Sequence, residues 1–230
     1  MDLVYIYNSR KKDHNPIKYS IRSAEENFKF DRLWIIGGKP DFIECDFIPH
    51  EDRREVNRMI NVEGKLKKLT ESRVSEDFVL MNDDFFFLEP VEEIEYRHLG
   101  SFREWYNNKT DAFRSKKWRL LIENTYREYP DWNFYEAHYP IIYNKKKLKK
   151  VLKKIPQFNL PIIRSYYGNL NKVNGREVED YKLRYIDDLE KYWNNEFLST
   201  DDRAEKSQRF LKFIEGRFPN PSKYETRSYN

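Results

Sequence analysis

Asn82-Asp83-Asp84 stands between two apolar runs, Phe78 to Met81 and Phe85 to Leu88. Two adjacent carboxylates in such a setting are costly to bury unpaired. A hard divalent cation, Mn²⁺ or Mg²⁺, removes that cost, taking one or two carboxylates and completing its shell with diphosphate oxygens and water. At the carboxyl end of a strand, the pair would hold such a metal over a bound diphosphate. A turn whose aspartates cap the next segment has the same signature. Asp83 and Asp84 are therefore candidate metal ligands, with Asp84 also a candidate catalytic residue and Asp83 a candidate donor-binding one.

A second group lies further along. Glu136 and His138 are two residues apart, so in an extended segment they face the same way. A histidine near a metal–diphosphate can be a ligand, a donor to phosphate oxygens or a general acid/base. A histidine satisfied by a backbone carbonyl is the plain alternative. His138 is thus a candidate metal ligand and catalytic residue, and Glu136 a candidate base. After the first apolar run, Tyr7, Asn8 and Arg10 could line a nucleoside pocket, with Lys11 and Lys12 beside them. Arg22 and Lys65 are placed to neutralise a diphosphate from the two flanking helices, or else to be surface charges. Arg164, Tyr166 and Asn169 belong to a polar-aromatic cluster suited to stacking on a sugar or base, and so to an acceptor. Lys146 sits in a run, Lys145 to Lys154, with seven lysines and no acid. That run suits a polyanion or a solvated face.

The elements that must position these groups follow from pattern. Leu3 to Tyr7, Leu33 to Ile36, Phe42 to Ile48 and Phe78 to Met81 are short β-prone apolar runs, the mark of buried strands. Ile17 to Phe28 and Glu51 to Ser72 have helical spacing. The order strand–helix–strand–strand–helix–strand predicts an α/β fold with a mostly parallel sheet flanked by helices. Ligands in such sheets bind beyond the carboxyl ends of the strands, which directs attention to the residues after Tyr7 and Met81. The later chain predicts helices within Trp105 to Tyr129, a strand at Ile141 to Tyr143 and a basic helix at Lys145 to Lys154. Turn signals at Gly168-Asn169 and Asn174-Gly175 predict a hairpin or ordered loop over Tyr166 to Arg184. Helical or irregular structure is expected towards the end, with Phe210 to Phe218 its one apolar stretch.

Composition narrows the class. Aromatic residues make up 17% of the 230, and Gly only seven. These figures describe a folded chain with a substantial core, not a linker or repeat protein. No apolar run approaches the ~20 residues of a membrane helix, and Met1 to Tyr7 is too short for a signal-peptide core. Cys45 is the only cysteine, so no internal disulfide or thiolate zinc cluster forms, and the expected compartment is a reducing cytoplasm (a host's, were the chain viral). Residues 1–90 hold 15 basic and 18 acidic side chains, and residues 91–230 hold 28 and 21. The expectation is one domain over residues 1–230, with a slightly acidic metal and donor half at 1–90 and a basic acceptor half at 91–230.

The stretch Val74 to Val91, VSEDFVLMNDDFFFLEPV, resembles the metal-binding block of the Stealth family of sugar-phosphate transferases. Asp2-Leu3-Val4-Tyr5 with Tyr19-Ser20-Ile21-Arg22-Ser23 looks like that family's opening block, and Glu136-Ala137-His138-Tyr139-Pro140 like its later histidine block. Asn8-Ser9 replaces the Asp-Gly that follows the family's first strand. The chain is also similar to small bacteriophage-encoded glycosyltransferase-like proteins, through Tyr167-Gly168-Asn169 and Phe218 to Glu225. The resemblance implies a GT-A-type nucleotide-sugar fold. It implies metal-dependent transfer of a sugar from a nucleotide-sugar to an acceptor hydroxyl, on a saccharide or on modified DNA. Two other readings stay open: sugar-phosphate transfer of the Stealth type, and a non-catalytic nucleic-acid-binding protein using the basic second half.

Overall fold

The computed structural model describes residues 1–56, 58–108, 116–155 and 162–226. The first part alternates as its periodicity requires: β1 (Asp2–Tyr7), α1 (Asn15–Asn27), β2 (Leu33–Gly37), β3 (Asp46–Pro49), α2 (Arg58–Thr70) and β4 (Asp77–Asn82). β1 pairs in parallel with β2 on one side and β4 on the other. β3 extends the sheet beyond β2, also in parallel. β7 (Ile141–Asn144) closes the far edge beside β4 and is antiparallel. The strand order is β3-β2-β1-β4-β7.

Because β1 is buried on both faces, its side chains serve two cores. Leu3, Tyr5 and Tyr7 pack with Ile17, Ile21 and Ala24 of α1. Val4 points the other way, into a cluster with Leu66 and Leu69 of α2 and with Leu148, Val151 and Leu152 of α5 (Lys145–Lys154). Each such fully buried aliphatic side chain contributes roughly 1.5–3 kcal/mol. Lysines fill the rest of α5, so its apolar stripe alone decides which side faces the sheet.

Past β4 the chain turns at Asp83-Asp84 into β5 (Phe85–Phe87), then continues through β6 (Tyr96–His98), α3 (Phe102–Asn108) and α4 (Lys116–Glu128). After α5 come α6 (Ile163–Leu170), β8 (Gly175–Glu177), β9 (Lys182–Leu183), a 3₁₀ turn at Ile186–Tyr192, β10 (Phe197–Thr200) and α7 (Gln208–Arg217). β10 lies between β5 and β9, antiparallel to the first and parallel to the second. This small sheet draws residues from beyond 180 back to the Asp83-Asp84 turn, and Thr200 N–H donates to the Asp84 carbonyl at 3.1 Å.

Three elements differ from the sequence expectation. The third strand begins at Asp46, because the preceding residues pair with the C-terminal segment instead. Glu44 N–H donates to Tyr224 O and Thr226 N–H to Phe42 O. The second helix begins at Arg58 and not Glu51, since Asp52 is turned inward to meet the Lys65 ammonium. Gly168-Asn169 lies inside α6 and makes no turn, and no hairpin forms over Tyr166 to Arg184, because β8 pairs with β6 and β9 with β10. Gly168 has another cause: a Cβ there would come within 2.5 Å of the Tyr135 ring.

Candidate active site

Ile6 of β1 is opposite Asn82 of β4, so the loops after both strands leave the sheet at the same carboxyl edge. Gly37, at the end of β2, lies beside Tyr7 in the same register. Its φ of +123° and a built Cβ only 1.8 Å from the Tyr7 carbonyl exclude any other residue. The loop after β1 is tied to itself. Asn8 Oδ1 accepts from Arg10 N–H at 3.0 Å, Lys11 N–H donates to Asn8 O at 3.1 Å, and Tyr7 Oη meets His14 Nδ1 at 2.5 Å. This folding-back sends the Lys11 side chain across to β4's turn.

There Lys11 Nζ lies 2.5 Å from Asp83 Oδ2 and 3.4 Å from Glu205 Oε1. Lys182, at the start of β9, holds Asp84 Oδ2 at 3.0 Å. The two adjacent aspartates therefore meet lysines from opposite ends of the chain. Burial, then the neighbouring Asp84 charge, pushes the Asp83 carboxyl above its ordinary range. Burial also opposes the Asp84 charge, but Lys182 and His138 outweigh it and hold that carboxyl low. Burial pushes Glu205 up to about 7, against the pull of Lys11.

His138 stands close enough to act on Asp84's charge, and its Nδ1 lies 2.8 Å from Asp180 Oδ1. Asp180 in turn receives Arg184 at 2.7 Å. Burial lowers the His138 pKa although Asp180 raises it, so the imidazole is neutral near pH 7. With the Nδ1 proton directed to Asp180, Nε2 carries the lone pair. Burial works to raise Asp180, but His138 and Arg184 keep it far below the carboxylate range.

A third group completes the edge. Lys65 Nζ is bound by both oxygens of Asp52 at 2.7 and 2.8 Å, and Ser9 N–H donates to Asp52 Oδ2 at 2.7 Å. The Lys65 chain reaches Gly37 and lies within range of the Asp83 charge. Tyr7, Asn8, Lys65, Asp83, Asp84 and His138 thus gather at one edge. Arg10 is exposed on the loop above.

Other expected residues are placed elsewhere. Arg22 is buried in a two-armed pair with Glu225, at 2.6 and 2.7 Å, and donates to the carbonyls of Phe218 and Pro219. Glu136 accepts from Ser165 N–H at 3.2 Å and so caps the first turn of α6. Burial raises it to about 7. Arg164 donates to the carbonyls of Ala137 and Tyr139 and lies 5.5 Å from the Phe85 ring centre, which props the His138 segment against β5. Tyr166 is buried edge-on against Trp132 with ring centres 5.2 Å apart, leaving no face for an acceptor. Asn169 spends both ends of its amide on Asn133 and Ser165. Lys146 lies at the opposite end of the sheet, where Asn144 is in register with Asp77.

Sequence reasoning missed Lys182, Asp180, Glu205 and Asp52 as parts of this site. Each lies in a polar stretch with nothing to set it apart from other surface charges, and only β9, β10 and the inward turn before α2 bring them in. The pairing of β10 with FFF of β5 was the one available signal, since two buried aromatic and aliphatic runs require partners.

In residue type alone the donor set suits a divalent cation, although the groups are not spaced to hold one as placed. It comprises two hard carboxylates and an imidazole with Nε2 free as a lone pair, whose other nitrogen is fixed by a carboxylate as in metal-bound histidines. Among the described residues no three His, Cys, Asp or Glu side chains already surround a common point. Lysine ammonium groups stand on both aspartates instead.

No protein-family model matches the chain, and no curated protein matches it in sequence. In shape it is similar to the galactosyltransferase LgtC, solved in complex with donor and acceptor sugar analogues. The TM-score is 0.51 at 10% identity, over 97% of this chain and 98% of that one. At this identity the likeness concerns the fold: a mixed α/β architecture with a mostly parallel central sheet between helices, of the GT-A type, along nearly the whole chain.

Proposed function

We propose that the protein is a glycosyltransferase that moves a sugar from a nucleotide-sugar donor to an acceptor hydroxyl. The observation that carries this reading is the meeting of Asp83, Asp84, His138, Lys11 and Lys182 at the shared carboxyl edge of β1 and β4. It lies in a fold shared with a galactosyltransferase that binds donor and acceptor sugar analogues. Asp83, Asp84 and His138 would hold Mn²⁺ or Mg²⁺, which when bound supplies charge to the leaving diphosphate. The ammonium groups of Lys11 and Lys182 would add positive charge near the place where the bond to the leaving group breaks. Tyr7, Asn8 and Arg10 line the nucleoside end, and the Asp52–Lys65 pair fixes the Ser9 backbone beneath it. Where the two aspartates alone carry the metal, His138 would be free to receive the acceptor proton on Nε2, its Nδ1 being held by Asp180. Asp180 would stabilise the imidazolium so formed.

The acceptor is a saccharide or another hydroxyl-bearing molecule, modified DNA included. A cytoplasmic location belongs to the same proposal; among the described residues no helix is long and apolar enough to cross a membrane. The test is a panel of nucleotide sugars incubated with the protein and Mn²⁺. Release of a nucleoside diphosphate, lost at least ~100-fold in Asp83→Asn and Asp84→Asn while the circular dichroism is kept, is the expected result. Release of a nucleoside monophosphate instead would mean sugar-phosphate transfer, the reading favoured by the Val74 to Val91 block. Absence of any nucleotide binding, together with steeply salt-dependent DNA binding, would overturn both.

A further inference from the structure

Lys11 is the side chain that stands on Asp83. Its ammonium is largely buried, 2.5 Å from Asp83 and 3.4 Å from Glu205. The loop that carries it is held by Asn8 and by the Tyr7–His14 contact, so its reach is set by the fold and not by chance. A divalent cation bound to Asp83 would lie close to this ammonium, and two positive charges a few ångströms apart repel strongly in a partly buried site. Lys182 makes the same claim on Asp84.

We infer that Lys11 is a resident counter-ion that competes with the divalent cation for Asp83, so that metal and donor diphosphate enter together and metal alone binds weakly. The inference rests on the metal reading of Asp83 given above. Glu205 is what makes the exchange practicable. When Lys11 leaves Asp83 it still has a carboxylate within reach, so no buried ammonium is stranded. A donor diphosphate adds negative charge to the same space, which compensates the dication and gives Lys11 a further partner. Metal and diphosphate then favour each other's binding, and the coupling is reciprocal.

The test measures Mn²⁺ binding to the full chain, without nucleotide, from the loss of the free-ion electron paramagnetic resonance signal. Lys11→Met is expected to lower the Mn²⁺ dissociation constant at least ~10-fold, while Lys11→Arg, which keeps the charge, stays near the parent value. Adding Asp83→Asn to Lys11→Met should abolish the gain, which locates it at that carboxylate. Uridine diphosphate or guanosine diphosphate should tighten Mn²⁺ binding in the parent and do so less in Lys11→Met. Parent and Lys11→Met binding Mn²⁺ equally well, each dependent on Asp83, would overturn this inference and leave the metal reading intact. Failure of the parent, Lys11→Met and Lys11→Met/Lys182→Met alike to bind Mn²⁺, with or without nucleotide, would overturn both.

Discussion

Individual charges here are set by what they touch more than by what they are. Asp83 and Asp84 are neighbours in sequence, yet burial and mutual repulsion raise one while Lys182 and His138 hold the other down. Glu136 offers a clean measurement of such an effect. Burial takes it from 4.5 to about 7, with Ser165 and Arg164 pulling the other way. Between those two values the folded protein holds a proton that the unfolded chain has released, so stability falls as pH rises from about 4.5 to 7. Glu136→Gln keeps an oxygen for Ser165 N–H and removes the titration. The variant should therefore lose part of that decline and be more stable than the parent at pH 8, by up to about 3 kcal/mol. Urea unfolding at pH 5 and pH 8 measures it, and an unchanged difference between the two pH values would refute it. Glu205, raised for the same reason, keeps its own share of the decline in both proteins.

At the scale of elements, the sheet and its edge were legible because buried strands and amphipathic helices leave periodic marks. Leu3 to Tyr7 and Phe78 to Met81 are apolar throughout because both faces of the central strands are covered. The turn after β4 was legible for the same reason: two carboxylates there interrupt an otherwise apolar stretch. The second half was less so, because its short strands are defined by partners far away in sequence. Tyr181-Lys182-Leu183 carries no strand signature by itself, and β9 exists through its pairing with β10. Gly168 shows how a local signal misleads. It resembles a turn glycine, but the Tyr135 ring occupies the space its side chain would need. Gly168→Ala is expected to destabilise the protein by about 1–3 kcal/mol through overpacking, even though alanine favours helix. A gain in stability by thermal melting would mean that the ring moves aside freely.

Across the whole molecule, residues far apart in the chain are fastened together at several places, and two of these concern residues singled out in the sequence. One is the site itself, where Lys182 and Glu205 return to the Asp83-Asp84 turn. The other is Arg22 of α1, which grips Glu225 and two carbonyls of the C-terminal segment while both side chains are nearly buried. Glu225→Ala leaves a buried guanidinium without its carboxylate and should cost about 3 kcal/mol or more in chemical denaturation. Full stability in that variant would show that solvent reaches Arg22. This place in the fold gives Arg22 a structural role at the C-terminal segment, where the sequence had suggested a diphosphate contact.

The antiparallel course of β7 has a consequence for any long acceptor. Because Asn144 is level with Asp77, the lysine-rich α5 begins at the opposite end of β4 from Asp83, six residues and about 20 Å away. A monosaccharide or a single nucleotide is too short to touch both places. A polymer is not, and one held by α5 would raise the local concentration of its own reactive end at the sheet's other edge. Chain length, more than the chemistry of the end unit, would then govern how much the lysines matter.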